Sequence, residues 1–171
     1  MKSIKKITFT ALLAALCYVA TVIIQIPSPM QGYLNLGDCF VLLAGWLLGP
    51  IYGGLGAGIG SMLGDLLTGY GIYAPATFLI KALMAVVAGL LFSALKRVMH
   101  NKTLVPHILS GIAAEIIMVI GYFLFACLIM GEGWAAALSI PGNLVQGAAG
   151  AIAGVLIIEL LHKTNAERYF T

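Results

Sequence analysis

Pro75-Ala-Thr-Phe-Leu-Ile-Lys-Ala-Leu-Met-Ala-Val-Val-Ala-Gly-Leu-Leu-Phe-Ser-Ala-Leu95 decides the fold, because this run is long enough to cross a bilayer core and carries Lys81 as its sole charge. A membrane span takes about 20 apolar residues at about 1.5 Å of rise each. On either side the chain repeats the pattern. Ile7–Ile26, Leu36–Leu48, Ile51–Thr68, Leu104–Met130 and Ala135–Leu161 are further apolar runs, the second of them short for a full span. The six runs account for most of the 171 residues, of which 61% are hydrophobic and 9% charged. A soluble domain has about a quarter of its residues charged, so a soluble globule is excluded. The expected fold is an all-α integral membrane protein, a single domain over 1–171 with six transmembrane helices and short loops.

The prolines support these boundaries. Pro27, Pro29, Pro50, Pro75 and Pro106 stand at or near the ends of runs, where a ring without an N–H opens or closes a helix. Pro141 lies inside the sixth run, so it either kinks that helix or marks its true start. Lys2, Lys5 and Lys6 before a hydrophobic run resemble a secretory signal. However, Leu16 stands where cleavage before Cys17 would need a small side chain, and the run continues to Ile26, so an uncleaved first helix is expected.

The nine Lys and Arg residues set the orientation. Lys2, Lys5 and Lys6 precede the first run, Lys96, Arg97 and Lys102 join the fourth and fifth, and Lys163 and Arg168 follow the sixth. With six crossings all of these fall on one side, which the positive-inside rule makes cytoplasmic, together with both termini. A net charge of +3, so dispersed, does not make a nucleic-acid surface, and the lipid bilayer and other membrane proteins are the expected partners. Cys17, Cys39 and Cys127 lack C-x-x-C spacing and sit in apolar stretches, which argues against a disulfide framework and a metal site. The glycines of the middle of the chain match no phosphate-binding pattern. Their spacing at Gly49/Gly53, Gly54/Gly58 and Gly56/Gly60/Gly64 repeats every four residues, which strips one helix face for close packing in lipid.

The informative residues are those whose burial is expensive. A charge at the bilayer centre costs about 2.5–3.5 kcal/mol on insertion scales. Lys81 lies in the outer part of the fourth run, Glu115 is near the middle of the fifth, and Asn143 and Gln146 share a face of the sixth. One reading is structural, a Lys81–Glu115 staple between the fourth and fifth helices with the two amides as interhelical glue. The other is a pocket open to the outer side, which also accounts for Tyr70, Tyr73, Tyr122, Asn35 and Asp38 lying toward that side. A pocket with one cation, one anion, amides and tyrosines suits a small heteroaromatic solute with hydroxyl or amino groups. It lacks the nucleophile–base or metal-ligand spacing of an enzyme. Asp65, at the outer end of the glycine-rich run, fits a solvated acid and a loop cap equally.

Five stretches together resemble the substrate-binding S components of energy-coupling factor (ECF) transporters, in the branch of riboflavin and of hydroxymethylpyrimidine or vitamin B6 carriers. They are Gly32-Tyr-Leu-Asn-Leu-Gly-Asp38, Gly49-Pro-Ile-Tyr-Gly-Gly54, Phe78-Leu-Ile-Lys81-Ala, Glu115-Ile-Ile-Met-Val-Ile-Gly-Tyr-Phe123 and Ser139-Ile-Pro-Gly-Asn-Leu-Val-Gln146-Gly. The resemblance implies six helices in a bacterial plasma membrane and vitamin capture by the outer loops and the last three helices. It also implies docking on a transmembrane T component driven by two ATPase subunits, which fits a chain without an ATP-binding motif of its own. Family members dock through an A-x-x-x-A pattern in the first helix, here Ala11 and Ala15, though an alanine stripe is equally a packing face. Lys81, Glu115, Asn143, Gln146, Tyr122, Asn35, Asp38 and Tyr73 become the substrate-binding candidates, with no catalytic residue, metal or cofactor. A B6 vitamer or hydroxymethylpyrimidine is the first ligand expected and riboflavin the second. A stand-alone secondary carrier, or an intramembrane enzyme with Glu115 as its base, are the readings from other classes.

Overall fold

The computed structural model describes residues 3–27, 32–100 and 102–170; Lys2 and Pro29, used above for orientation and for a helix boundary, lie outside them. The described chain is helical apart from one short hairpin. Helix α1 is Ser3–Ile23, and strands β1 (Ile26–Pro27) and β2 (Tyr33–Leu34) pair antiparallel. Helix α2 is Gly37–Leu67, α3 is Ala74–Val98 and α4 is Leu104–Leu124, which runs on through a π-helical turn at Phe125–Ile129. A 3-10 segment, Gly133–Ser139, then leads into α5, Ile140–Lys163. Pro141 sits in the first turn of α5 and therefore marks a helix start rather than a kink.

The second and third apolar runs form one element with a sharp break. Gly49 has φ 74° and ψ −175°, a left-handed backbone that glycine tolerates and side chains do not, and Pro50 starts the second arm without an N–H to satisfy. The arms turn back on each other, since a Cβ on Gly53 would overlap the carbonyl of Ala44. Among the described residues, five helices are long and apolar enough to cross a membrane. The arm Gly37–Leu48, at about 1.5 Å per residue, reaches only about 18 Å and is too short to span a 30 Å core unaided.

The glycine spacing does what lipid packing requires. Gly56, Gly60 and Gly64 meet Thr10, Ala14 and Thr21 of α1 in the same ascending order, so α1 and the second arm run parallel in close contact. Gly54 and Gly58 meet Ala82 and Phe78 of α3, which runs antiparallel. Small residues let these backbones approach where lipid offers no hydrophobic drive to associate. The first arm is the central post, with Asp38, Val41, Leu42 and Ala44 fully buried against Met84, Ala88 and Met118. Most other helices keep an exposed apolar face, for example Ile112, Ile116, Leu144 and Ile152, as lipid-facing helices do. The basic helix ends gather at one end of the bundle, where Lys6 lies over the Tyr52 ring and His107 stacks on Phe92.

Candidate functional site

The opposite end of the bundle holds a cleft of about 570 Å³, open mouth included. It forms where helices stop. Asp65 ends α2, Tyr70 and Tyr73 lie in the loop before α3, and Thr77 is in the first turn of α3. Tyr122 and Ala126 come from the end of α4 and its π-helical turn, a feature frequent at functional sites. Ser139, Asn143 and Gln146 come from the start of α5, and Gly32, Tyr33 and Asn35 close the remaining side from the hairpin.

Local sequence explains how the hairpin is held. The Asn35 side chain accepts from the Gly37 N–H at 2.8 Å, an Asx turn that starts α2. Gly37 packs so tightly on Thr21 that no side chain fits there. The Tyr33 hydroxyl donates to Asp65 at 2.5 Å, and its ring meets Tyr70 with centroids 4.5 Å apart. Burial first, then the hydrogen bond to Asp65, push the Tyr33 hydroxyl above its ordinary pKa, and burial does the same at Tyr73. The Thr77 and Tyr122 hydroxyls share a hydrogen bond of 3.0 Å on the opposite wall. Asn143 and the Tyr70 hydroxyl have no hydrogen-bond partner among the described residues, which leaves them available to a ligand.

Beneath the cleft lies a sealed polar cluster. Lys81, 2% exposed, donates to Asp38, 0% exposed, and reaches Met118 Sδ at 3.3 Å. Gln146 Nε2 donates to the other Asp38 oxygen at 2.7 Å, while Gln146 Oε1 accepts from the Asn35 N–H at 2.9 Å. The Lys81 ammonium also lies 5.5 Å from the centre of the Tyr122 ring. Gln146 thus joins the buried ion pair to the hairpin, and both ends of its amide are engaged.

The sequence-predicted residues therefore divide into three places. Asn35, Tyr73, Tyr122, Asn143 and Gln146 line the cleft. Asp38 and Lys81 form the floor cluster and are absent from the lining. Asp38, expected on the wall of an outward-open pocket, is corrected to a buried core position, because α2 starts at Gly37 and carries Asp38 into the core in its first turn. The Lys81–Glu115 staple is corrected too, since Asp38 takes the ammonium. Glu115 faces a separate apolar groove between α4 and α5 with Ile112, Ile116, Val119 and Leu144, its carboxyl packed on Gly147 and Gly150. Neither of its oxygens has a hydrogen-bond partner among the described residues.

Sequence reasoning left Asp65 undecided and did not single out Tyr33 or Thr77. Asp65 is 4% exposed and bonded to Tyr33, neither solvated nor a simple cap. The only signal for Tyr33 was its place beside Asn35, and for Thr77 its place one turn before Lys81. Ala11 and Ala15 lie on the exposed face of α1, while neighbouring Ala14 packs on Gly60.

The family model described as "ECF-type riboflavin transporter, S component" matches residues 1–163. An uncharacterised protein of Pyrococcus woesei, encoded in a gap 3′ region, is 36% identical over 137 residues, covering 80% of this chain and 87% of that one. A solved structure described as the S component of a bacterial ECF transporter superposes with a TM-score of 0.70 at 22% identity. It covers 95% of this chain and 98% of that one, a likeness of fold.

Proposed function

Because the chain belongs to the ECF-type riboflavin transporter S-component family, we propose that it captures one small water-soluble vitamin in the outer cleft and delivers it through an ECF module. The family is the substrate-binding part of a transporter and not an enzyme. The observation that carries the vitamin reading is the cleft itself, with four tyrosines, a buried carboxylate and a free amide converging at the end of the bundle away from the basic residues. Aromatic walls stack on a flat ring, and the polar groups read its substituents.

The reading extends to topology and partners. In this reading the two arms of α2 on either side of Gly49 count as separate rods, the first too short to span the core by itself, which gives six rods and puts both termini on the basic, cytoplasmic side. A transmembrane T component docks on the exposed Ala11/Ala15 face, and two ATPase subunits supply the energy. The name of the family model makes riboflavin the first ligand to test, ahead of the B6 vitamer or hydroxymethylpyrimidine that the residues alone put first. Such a single ring is the second reading, favoured by the Tyr33–Asp65 bond and the Tyr33–Tyr70 contact, which draw the hairpin toward the α2–α3 loop.

The test is intact-mass spectrometry of the molecule that co-purifies with the protein, followed by uptake into liposomes with and without the partner subunits and ATP. The expected result is one bound vitamin, recovered unchanged, and uptake only with partners and ATP. Uptake by the protein alone would make it a secondary carrier, and chemical conversion of the bound molecule would make it an enzyme.

A further inference from the structure

Glu115 stands well inside α4, roughly 16 Å from the helix start at about 1.5 Å per residue. Among the described residues it is the one acid whose two oxygens are both sealed and both without a hydrogen-bond partner. The other acids are held or wet. Asp38 is taken by Lys81, and Asp65 by Tyr33 and Thr77. Glu159 and Glu167 lie beside His107 and His162 at the basic end of the bundle, and Glu132 is in the partly exposed turn at the opposite end.

The groups that face Glu115 give no support to a negative charge. From α2 comes Asp38, whose Cβ abuts Gly150 beside Glu115 Oε1, and next to it the Cys39 thiol. From α3 comes Lys81, already engaged by Asp38. The face of α5 against the carboxyl is Gly147 and Gly150, and the other titratable groups of α4 and α5, His107, Glu159 and His162, lie toward the basic end. A carboxylate placed here would meet the like charge of Asp38 with neither donor nor water to replace its hydration, which favours the neutral acid. On its open side the groove is walled by Ile112, Ile116, Val119, Leu144 and Ala148. Ile112, Ile116 and Leu144 are each about half exposed, the kind of surface that lipid covers.

We infer that the α4–α5 groove is a lipid-side site, separate from the outer cleft, in which Glu115 holds a proton as a neutral carboxylic acid and takes apolar carboxyl-directed reagents of the carbodiimide class. The site requires the chain to lie in a membrane and is independent of which vitamin the cleft holds. In the reaction the carboxyl O–H adds across one C=N bond of the carbodiimide, its oxygen bonding the central carbon and its proton passing to one nitrogen. Migration of the acyl group from that oxygen to the other nitrogen then gives an N-acylurea. No atom leaves, so the adduct carries the whole mass of the reagent.

The test treats the full chain, reconstituted in phosphatidylcholine vesicles at neutral pH, with dicyclohexylcarbodiimide and reads the adduct by peptide mass spectrometry. The expected result is a single adduct, on the peptide that contains Glu115, and none there with a cationic, water-soluble carbodiimide. Ala148→Phe, which fills the rim of the groove and leaves Glu115 in place, should lose most of the label. The infrared difference spectrum between wild type and Glu115→Gln should show the C=O stretch of a neutral carboxyl. An unmodified Glu115 peptide, or an adduct on Glu132 or Glu167 in its stead, overturns the inference. Labelling of Glu115 by the cationic reagent overturns it too, since water would then reach the carboxyl. Full labelling of Ala148→Phe overturns the groove as the way in, and carboxylate bands in the difference spectrum overturn the proton.

Discussion

Replacing Lys81 with Met is the sharpest test of the floor cluster. Methionine keeps an unbranched side chain of similar reach and removes only the ammonium. Asp38 would then keep one donor, Gln146 Nε2 at 2.7 Å, with its other oxygen sealed in a site where the residue is 0% exposed. Leaving one partner of a buried ion pair uncompensated costs about 3–5 kcal/mol. At about 1.4 kcal/mol per decade, the folded-to-unfolded ratio should fall between about 100-fold and a few thousand-fold. Asp38→Asn combined with Lys81→Met removes both charges while an amide oxygen still accepts from Gln146, so most of the loss should return. The assay is reversible unfolding in mixed detergent micelles across the four-protein cycle, with a coupling energy of at least about 2 kcal/mol expected between the sites. A Lys81→Met protein as stable as wild type, or a double variant whose losses simply add, would refute the buried pair.

Glu115→Gln should behave in the opposite way. Its carboxyl has no donor to lose, so stability should hold or rise by up to about 1–3 kcal/mol. Vitamin affinity measured by calorimetry should stay unchanged, because the residue faces the α4–α5 groove. Ala11→Trp and Ala15→Trp sit on the exposed face of α1. Both should leave folding and vitamin binding near normal while abolishing co-purification with the T component and ATP-driven uptake. Loss of binding as well would place that face inside the bundle. Gly60→Val drives a branched side chain into the Ala14 carbonyl and the Cys17 Cβ. Separating α1 from the second arm of α2 in this way should cost at least about 1–3 kcal/mol, seen as a lower melting temperature in detergent.

Much of this protein is legible without coordinates. Long apolar runs can only be membrane helices, because lipid offers the backbone no partner outside a helix or a closed barrel. The positions of the lysines and arginines, of Pro75 and Pro106, and of the glycines at intervals of four therefore read directly as helix ends and contact faces. Where Lys81 points does not. Asp38 and Glu115 both lie at plausible depths for it, and the choice depends on the rotation of each helix about its own axis. In a soluble protein an apolar stripe reveals that rotation. Here the lipid-facing and core-facing sides are equally apolar, so Ile112 on the outside and Met118 in the core look alike in the sequence. Two local events also escaped the one-dimensional pattern. Asp38, near the start of its apolar run, turns into the core in the first turn of α2, and Tyr33 folds across to cover Asp65. Sequence alone determined which segments enter the membrane. Only the simultaneous packing of all the helices decided which polar side chain meets which, because each helix takes the rotation that leaves the fewest buried charges without a partner.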